Sequence, residues 1–596
     1  MNSINPKKVE SENSKSTEKT WGSPIEFLMT CVGFSVGLGN VWRFPFLCFK
    51  NGGSAFVIAF GIMLFLVGLP LFFLEITIAQ YSKFSPINVW KVVPIFRGLG
   101  IVSLLIATFI SIYYNVLICY SLIYLISSFF PTLPWTTCDS EWNNEKCCIP
   151  SDITVINTSL SIGRCSKFTE TPAKQYFYNY VLTLSDDIGN FTGVNWKLAL
   201  SLLICWFLVF LSLSKGVKSL GKVSYITAIF PYVMIFALII RGVTLEGAII
   251  GIEYYILNIN TDKLLTLETW TDAASQVYFI LGVAQGGLYT LGRYNDFNYN
   301  HQKTSIFIAI LDAVTGLLAG LAIFSVLGYM STKTGINVPD LAVGGPGLSF
   351  IVYPEALSLM PFPWIWCIFF FMMMITIGFG SILSLSECVL DSITEVLKGK
   401  IDIHGKETFY RFLICMIFYL IAFPMTTHSG LYIQNLIDGY VSGYPFIIFG
   451  FLEALGLCWI YGINNLKRDI KLMLGKNLSY YWIVCFAIVP VSTFSVFLIS
   501  AISSKQLTLN DYVYPAWSHG IGWLIVIIVL SPLPIFFTIS IRKTYLRLGR
   551  FNWRDYREYL KPDDEWKPAK KGDKVEHFKM EQVKNEAGVD NEGFIA

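Results

Sequence analysis

The chain has 596 residues, 54% of them hydrophobic and only 14% charged, with a formal net charge of +3. A soluble globule carries about 25% charged residues, so an ordinary water-exposed domain is excluded, and so small a positive balance gives no basis for nucleic-acid binding. The charge sits in clusters between apolar runs of ~20 residues or more, long enough to cross ~30 Å of hydrocarbon; with no water there to satisfy the backbone, such runs are helices.

Residues 1–20 are polar, with no short apolar core and cleavage site, so they read as a cytoplasmic tail and no removable signal peptide is expected. Twelve spans are predicted over residues 25–47, 54–79, 98–128, 195–213, 221–241, 271–298, 302–330, 363–397, 406–423, 431–461, 480–502 and 519–541. Every second connection is basic: Lys83, Lys91 and Arg97; Lys215 and Lys218; Arg293 and Lys303; Lys398, Lys400 and Lys406; Lys467, Arg468, Lys471 and Lys476. The intervening connections are poor in Lys and Arg, which puts the basic set and both termini in the cytoplasm.

The stretch from about 129 to 195 then lies outside. It holds the sequons at Asn157 and Asn190, both read as glycosylated, and four of the thirteen cysteines, Cys138, Cys147, Cys148 and Cys165. The tail over 543–596 is mixed in charge and is expected to be flexible and cytoplasmic. A plasma-membrane protein with a 21–542 membrane domain is the resulting picture, with the lipid bilayer as its surroundings.

Two of the predicted spans contradict their own helical propensity. The first reads Gly33-Phe34-Ser35-Val36-Gly37-Leu38-Gly39-Asn40, and the sixth contains Gly282-Val283-Ala284-Gln285-Gly286-Gly287. Each glycine costs up to ~1 kcal/mol in a helix interior. They fall in spans one and six, the corresponding positions of two five-span halves, and matched interruptions of this kind point to a transporter's binding site. Close-packing glycines of the small-xxx-small kind are the alternative. Catalysis is not expected. The five histidines show no metal-ligand spacing, and Gly216–Lys222 mimics a phosphate-binding loop but is followed by Val223 and preceded by no strand.

Long strings carry a resemblance to the neurotransmitter:sodium symporter family: GLGNVWRFPFLCFKNGG (37–53), KGVKSLGKVSYITAIFPYV (215–233), GPGLSFIVYPEALSLMP (345–361) and EALGLCWIYGINNLKRDIKLMLG (453–475). The resemblance implies an all-α polytopic membrane protein of twelve helices, an inverted five-plus-five repeat with two discontinuous helices. It implies a secondary symporter driven by Na⁺, and an extracellular disulfide between Cys138 and Cys147. It further implies a first sodium site at Ser35, Asn40, Ile280 and Asp312, and a second at Gly33, Val36, Ile377, Gly380 and Ser381. Substrate would meet Phe34, Gly37, Leu38, Gly39, Ile110, Tyr114, Phe279, Gln285 and Ser381, beneath an outer gate of Arg43 and Asp438. Without the family, a side chain snorkelling to headgroups is the lesser alternative for Arg43. Gly37 stands where the family's amine carriers place an Asp, which favours a zwitterion such as a neutral amino acid or related osmolyte.

Some positions depart from the family pattern. Ile280 replaces a hydroxyl residue, Gly380 replaces an Asp or Thr, and Gln285 replaces an aromatic lid. Phe60 and Gly316 stand where chloride-dependent members have Tyr and Ser, so Cl⁻ dependence is not expected, with Asp312 supplying the fixed negative charge instead. Glu18 occupies the usual inner-gate Arg position, leaving Lys19 to reach Glu395. A transport-deficient membrane sensor or scaffold that keeps the fold is the competing reading, and an oligomer is left open.

Overall fold

The computed structural model describes residues 20–149, 170–257, 260–335, 338, 347–398, 405–502, 506–509, 512–548 and 557–569. Its frame is helical, apart from a short antiparallel pair of strands, Thr508–Leu509 and Tyr512–Val513. Among these residues, ten helices are long and apolar enough to cross a membrane, and an eleventh span is a bent pair. In chain order we label α1 (Pro24–Ser35), α2 (Gly39–Lys50), α3 (Ser54–Ser82), α4 (Pro94–Ser127), α5 (Trp196–Leu213), α6 (Val217–Val243), α7 (Leu267–Leu281) and α8 (Gly287–Arg293). Next come α9 (His301–Thr334), α10 (Pro363–Lys398), α11 (Glu407–Ala422), α12 (Gly430–Leu474, interrupted at Ser442–Gly443), α13 (Tyr480–Ile502) and α14 (Ala516–Arg542). Large apolar side chains on the outer faces stay exposed, among them Phe207 and Leu211 on α5, Ile226 and Phe236 on α6, and Ile521 and Ile527 on α14. Such rims are what a helix bundle presents to lipid.

Both predicted interruptions are present. Ser23 caps α1 by accepting from the Glu26 N–H at 3.2 Å, with Pro24 at the first helical position. The helix then stops at Ser35, and α2 resumes at Gly39 with a bend of 44°. The expected sixth span is two pieces, α7 and α8, joined by five residues that include Gly282, Ala284 and Gly286, all at positive φ (66°, 61° and 82°). Gly286 and Gly282 adopt this conformation without the Cβ penalty that Ala284 bears.

The gaps interlock. A Cβ at Gly282 or Gly287 would stand 2.3 or 2.6 Å from the Phe34 ring, and one at Gly39 would stand 2.8 Å from the Phe279 ring. These glycines therefore serve as seats for an aromatic ring from the opposite gap, which is more specific than the small-residue packing weighed as the alternative.

The Cys138–Cys147 disulfide is formed. Asn190 is exposed, whereas Asn157 and Cys165 lie outside the described residues. Gly216, at φ 67°, is the turn between α5 and α6 and holds no strand–loop–helix phosphate cradle.

The C-terminal tail departs from expectation over residues 557–569, which pack against the bundle. Trp566 is 8% exposed, and its indole donates to the Tyr461 hydroxyl at 3.2 Å. The Asp563 N–H donates to the Lys91 carbonyl at 2.9 Å and the Ala569 N–H to the Tyr81 carbonyl at 3.0 Å, while Arg97 pairs with Asp563 and Lys91 with Glu565. Acids of this segment meet bases of the connection between α3 and α4, and a tryptophan fills the space among Tyr81, Phe84 and Tyr461.

Candidate functional site

Where α1 stops, the backbone turns back on itself: the Gly37 N–H donates to the Ser35 carbonyl at 2.9 Å and the Asn40 N–H to the Gly37 carbonyl at 3.1 Å. Around this turn lies a narrow cavity of about 20 Å³ lined by Phe34, Ser35, Gly37, Gly39, Asn40, Ile110, Tyr114, Phe279, Ile280, Gln285, Ser381 and Leu385. Every substrate-pocket residue expected from the sequence lines it except Leu38, whose N–H donates to the Tyr114 hydroxyl at 2.8 Å just beside it. Leu385, one helical turn beyond Ser381 on α10, is an addition that span prediction alone did not single out.

Gly37 is glycine for a spatial reason. A Cβ there would stand 2.7 Å from the Ser381 hydroxyl and 3.0 Å from that of Tyr114. The position thus offers bare backbone to whatever occupies the cavity, between two hydroxyls. Gln285 reaches back across the second gap, its amide donating to the Phe279 carbonyl at 3.3 Å.

Of the residues expected for a first cation site, Ser35, Asn40 and Ile280 line the cavity and Asn40 reaches Asp312. The Asn40 amide donates to Asp312 Oδ1 at 2.7 Å and to the Asp312 carbonyl at 3.3 Å. Ser35 Oγ, Asn40 Oδ1 and Asp312 Oδ2 are buried with no hydrogen-bond partner among the described residues. Buried polar atoms are normally paired, so three uncommitted oxygens here are what a small hard cation requires. Gln276 was not foreseen. Its amide donates to the Gly39 carbonyl at 3.0 Å, and its Oε1 is a fourth unpartnered oxygen.

The second site is tighter. Ser381 donates to the Phe34 carbonyl at 3.1 Å, and a Cβ at Gly380 would stand 2.3 Å from the Gly33 carbonyl oxygen. Gly380 thus lets α10 touch the backbone of α1. Gly33, Val36 and Ile377 are all buried around that contact.

The unwound segment of the second gap is held by carboxylates. The Ala284 N–H donates to Glu75 Oε1 at 2.6 Å, and the Tyr289 hydroxyl donates to Glu453 Oε1 at 2.5 Å. Where chloride-dependent relatives would carry a polar pair, Phe60 packs on Phe44 at 5.0 Å between centroids, and Phe44 atoms lie 3.4 Å from where a Cβ at Gly316 would sit. Two phenyl rings face that space.

A family model described as the sodium:neurotransmitter symporter family matches residues 18–544. The chain belongs to that family. The symporter is 38% identical over 578 residues to a sodium- and chloride-dependent glycine transporter 1 of Xenopus laevis, covering 94% of this chain and 90% of the relative. It is 35% identical over 585 residues to a sodium- and chloride-dependent glycine transporter 2 of the same organism, covering 94% and 73%. It is 38% identical over 561 residues to a mouse sodium- and chloride-dependent neutral and basic amino acid transporter B(0+), covering 89% and 87%. Family membership identifies a sodium-coupled membrane carrier of small molecules and not an enzyme.

Arg43 and Asp438, expected as an outer gate, meet other partners, and no ion pair joins them among the described residues. Arg43 places its guanidinium 4.7 Å from the Phe279 ring centroid, and Asp438 accepts from Ser442 Oγ at 2.9 Å. A cation–π contact occupies the arginine over the ring that lines the pocket. Ser442 also meets the Tyr113 hydroxyl at 3.3 Å, so a polar step lies beside Asp438. On the inner side, Glu18 and Lys19 lie outside the described residues, and Glu395 is bonded by Arg293, Asn88 and Ser85.

Proposed function

We propose that this symporter imports a small neutral amino acid together with Na⁺, without a requirement for chloride, across the plasma membrane with both termini in the cytoplasm. The observation that carries the reading is the pair of interlocked gaps. Phe34 seats in one and Phe279 covers the other, and between them a bare Gly37 backbone faces the hydroxyls of Tyr114 and Ser381. With the Gly37 N–H given to the Ser35 carbonyl and the Ser381 hydroxyl to the Phe34 carbonyl, the Tyr114 hydroxyl is the donor a carboxylate would meet there. Named relatives that carry glycine and neutral amino acids support the same class. Twelve spans, the first ten read as an inverted five-plus-five repeat with two further helices after it, are counted when α1–α2 and α7–α8 are each taken as one broken helix.

Na⁺ is a co-substrate here, held by Ser35, Asn40 and Asp312 at the first site. Ile280 offers only its carbonyl there, and the second site, with Gly380 against Gly33, is the weaker of the two. Chloride is replaced by the Asp312 carboxylate, as the paired rings of Phe44 and Phe60 leave no polar partner on their side. Sodium stabilises the outward-facing form and completes the pocket; Arg43 then leaves Phe279 to close toward Asp438, and the gap-bearing helices rock to release solute inward.

Uptake of a radiolabelled amino-acid and osmolyte panel in expressing cells, with and without Na⁺ and with chloride exchanged for gluconate, tests this. Sodium-dependent uptake abolished by Asn40→Ala is expected. Loss of uptake in gluconate would refute the chloride assignment. The tight Gly380–Gly33 contact and the missing hydroxyl at Ile280 favour one competing reading, a sensor or scaffold that binds without transporting. Binding of substrate with no sodium-dependent uptake would establish that reading.

A further inference from the structure

We infer that Arg293 is the cytoplasmic gate of this transporter, latching the inner half of the second broken helix to the inner end of α10; this rests on the transport reading above. Three carboxylates, Glu387, Asp391 and Glu395, recur every four residues on α10 and so share one helix face. Glu387 is taken by Arg411 of α11 in a buried two-point ion pair, 2.5 and 3.0 Å. That pair joins α10 to α11, which carry neither gap.

The other two carboxylates are held by a single cation from the far side. Arg293 Nη1 lies 2.7 Å from Glu395 Oε2 and 3.1 Å from Asp391 Oδ2. Its guanidinium stands 5.1 Å from the centroid of the neighbouring Tyr294 ring, whose hydroxyl donates to Asp391 Oδ1 at 2.7 Å. The second oxygen of Glu395 accepts from Asn88 and Ser85, at 2.9 and 3.0 Å, in the connection between α3 and α4. The entry to α1 is drawn into the same knot, since the Trp21 N–H donates to the Tyr294 carbonyl at 3.3 Å and its indole to the Leu291 carbonyl at 3.1 Å.

Arg293 is the last residue of α8, a seven-residue helix that starts after Gly286, so its guanidinium is the charged tie at the free end of that helix, beside the Tyr294 and Trp21 hydrogen bonds. At the other end of the α8–α10 contact sits Cys388, fully buried on α10, its sulfur 3.4 Å from where a Cβ at Gly286 would lie and beside Thr290 of α8. An inward path that parts α8 from α10 along its whole length opens a way to this thiol. An ion pair of this kind, 17% exposed on the arginine side, is shielded enough to hold and wet enough to break.

Cys388 is therefore a native reporter. Inside-out vesicles carrying the full chain are treated with N-ethylmaleimide, and modification of the Cys388 peptide is followed by mass spectrometry. Arg293→Gln and, separately, Glu395→Gln are expected to speed its modification about tenfold, the response to a 1.4 kcal/mol shift in a two-state gate. Arg293→Lys is expected to react more slowly than Arg293→Gln, and the exchange Arg293→Glu with Glu395→Arg to return toward the wild-type rate. Unchanged Cys388 labelling in either glutamine variant present at wild-type membrane level overturns the assignment. Should Arg293→Gln fail to reach the membrane, Glu395→Gln decides alone. Thiol labelling needs no substrate, so a wild type that takes up no amino acid would refute the transport reading while leaving the gate measurable.

Discussion

Replacing Asp312 with Asn keeps the side chain's shape and its contact with Asn40, now 2.7 Å, but removes the one negative charge in the first cation site. Asp312 is fully buried, and its free Oδ2 is among the unpartnered oxygens there. A monovalent cation about 4 Å from a carboxylate gains about 4 kcal/mol at an effective dielectric constant of about 20. The amide dipole retains roughly half of that, so the loss is about 2 kcal/mol, or about thirtyfold in sodium affinity. The assay is the sodium concentration giving half-maximal uptake, measured with surface expression matched by biotinylation. Asp312→Asn is expected to raise it about thirtyfold. A change below about twofold would show that the carboxylate does not face the ion, since twofold is only ~0.4 kcal/mol. Adding Gly316→Ser to Asp312→Asn should then make uptake respond to chloride.

Gly37→Ala brings a Cβ to 2.7 Å from Ser381 Oγ, so uptake should fall at least tenfold while surface level holds, read as a loss in apparent affinity rather than in protein amount. Gly287→Ala should destabilise the solubilised protein by about 1–3 kcal/mol through overpacking against Phe34, and Phe34→Leu should recover part of the melting temperature. Glu355, on the short helix Tyr353–Ser358 outside the spans, has its carboxyl pushed up to about 7 by burial, partly opposed by a hydrogen bond from Thr171. The folded chain therefore holds more protons there than the unfolded chain between about pH 4.5 and 7. Stability contributed by this group falls as pH rises through that window and is flat above it; Glu355→Gln should flatten the melting-temperature profile over the same range.

The frame was legible because its signals are local. Runs of apolar residues set the spans, alternating Lys and Arg set the connections, and glycine clusters set both gaps. The residues lining the narrow cavity, Leu385 apart, were named from family strings. What escaped were pairings between distant segments, for which no periodicity exists. Arg43 sits over Phe279 instead of meeting Asp438, because an aromatic face lies within reach. Glu395 finds Arg293, 102 positions away, because helix packing brings two ends together that sequence separation hides. Gln276 lies one turn before Ile280 on α7 and was read as ordinary helix, although its amide reaches the first gap. The charged tail looked like a solvated flank until Trp566 was seen buried against Tyr81 and Tyr461.

That last contact bears on how the molecule is made. The segment around Trp566 leaves the ribosome after every span has been threaded into the bilayer, yet it completes the inner surface laid down by residues 81–97 some 470 positions earlier. Assembly of the cytoplasmic face must therefore wait for residues 557–569, and a chain shortened ahead of Asp563 would carry every span from α1 to α14 while its inner surface stayed unfinished.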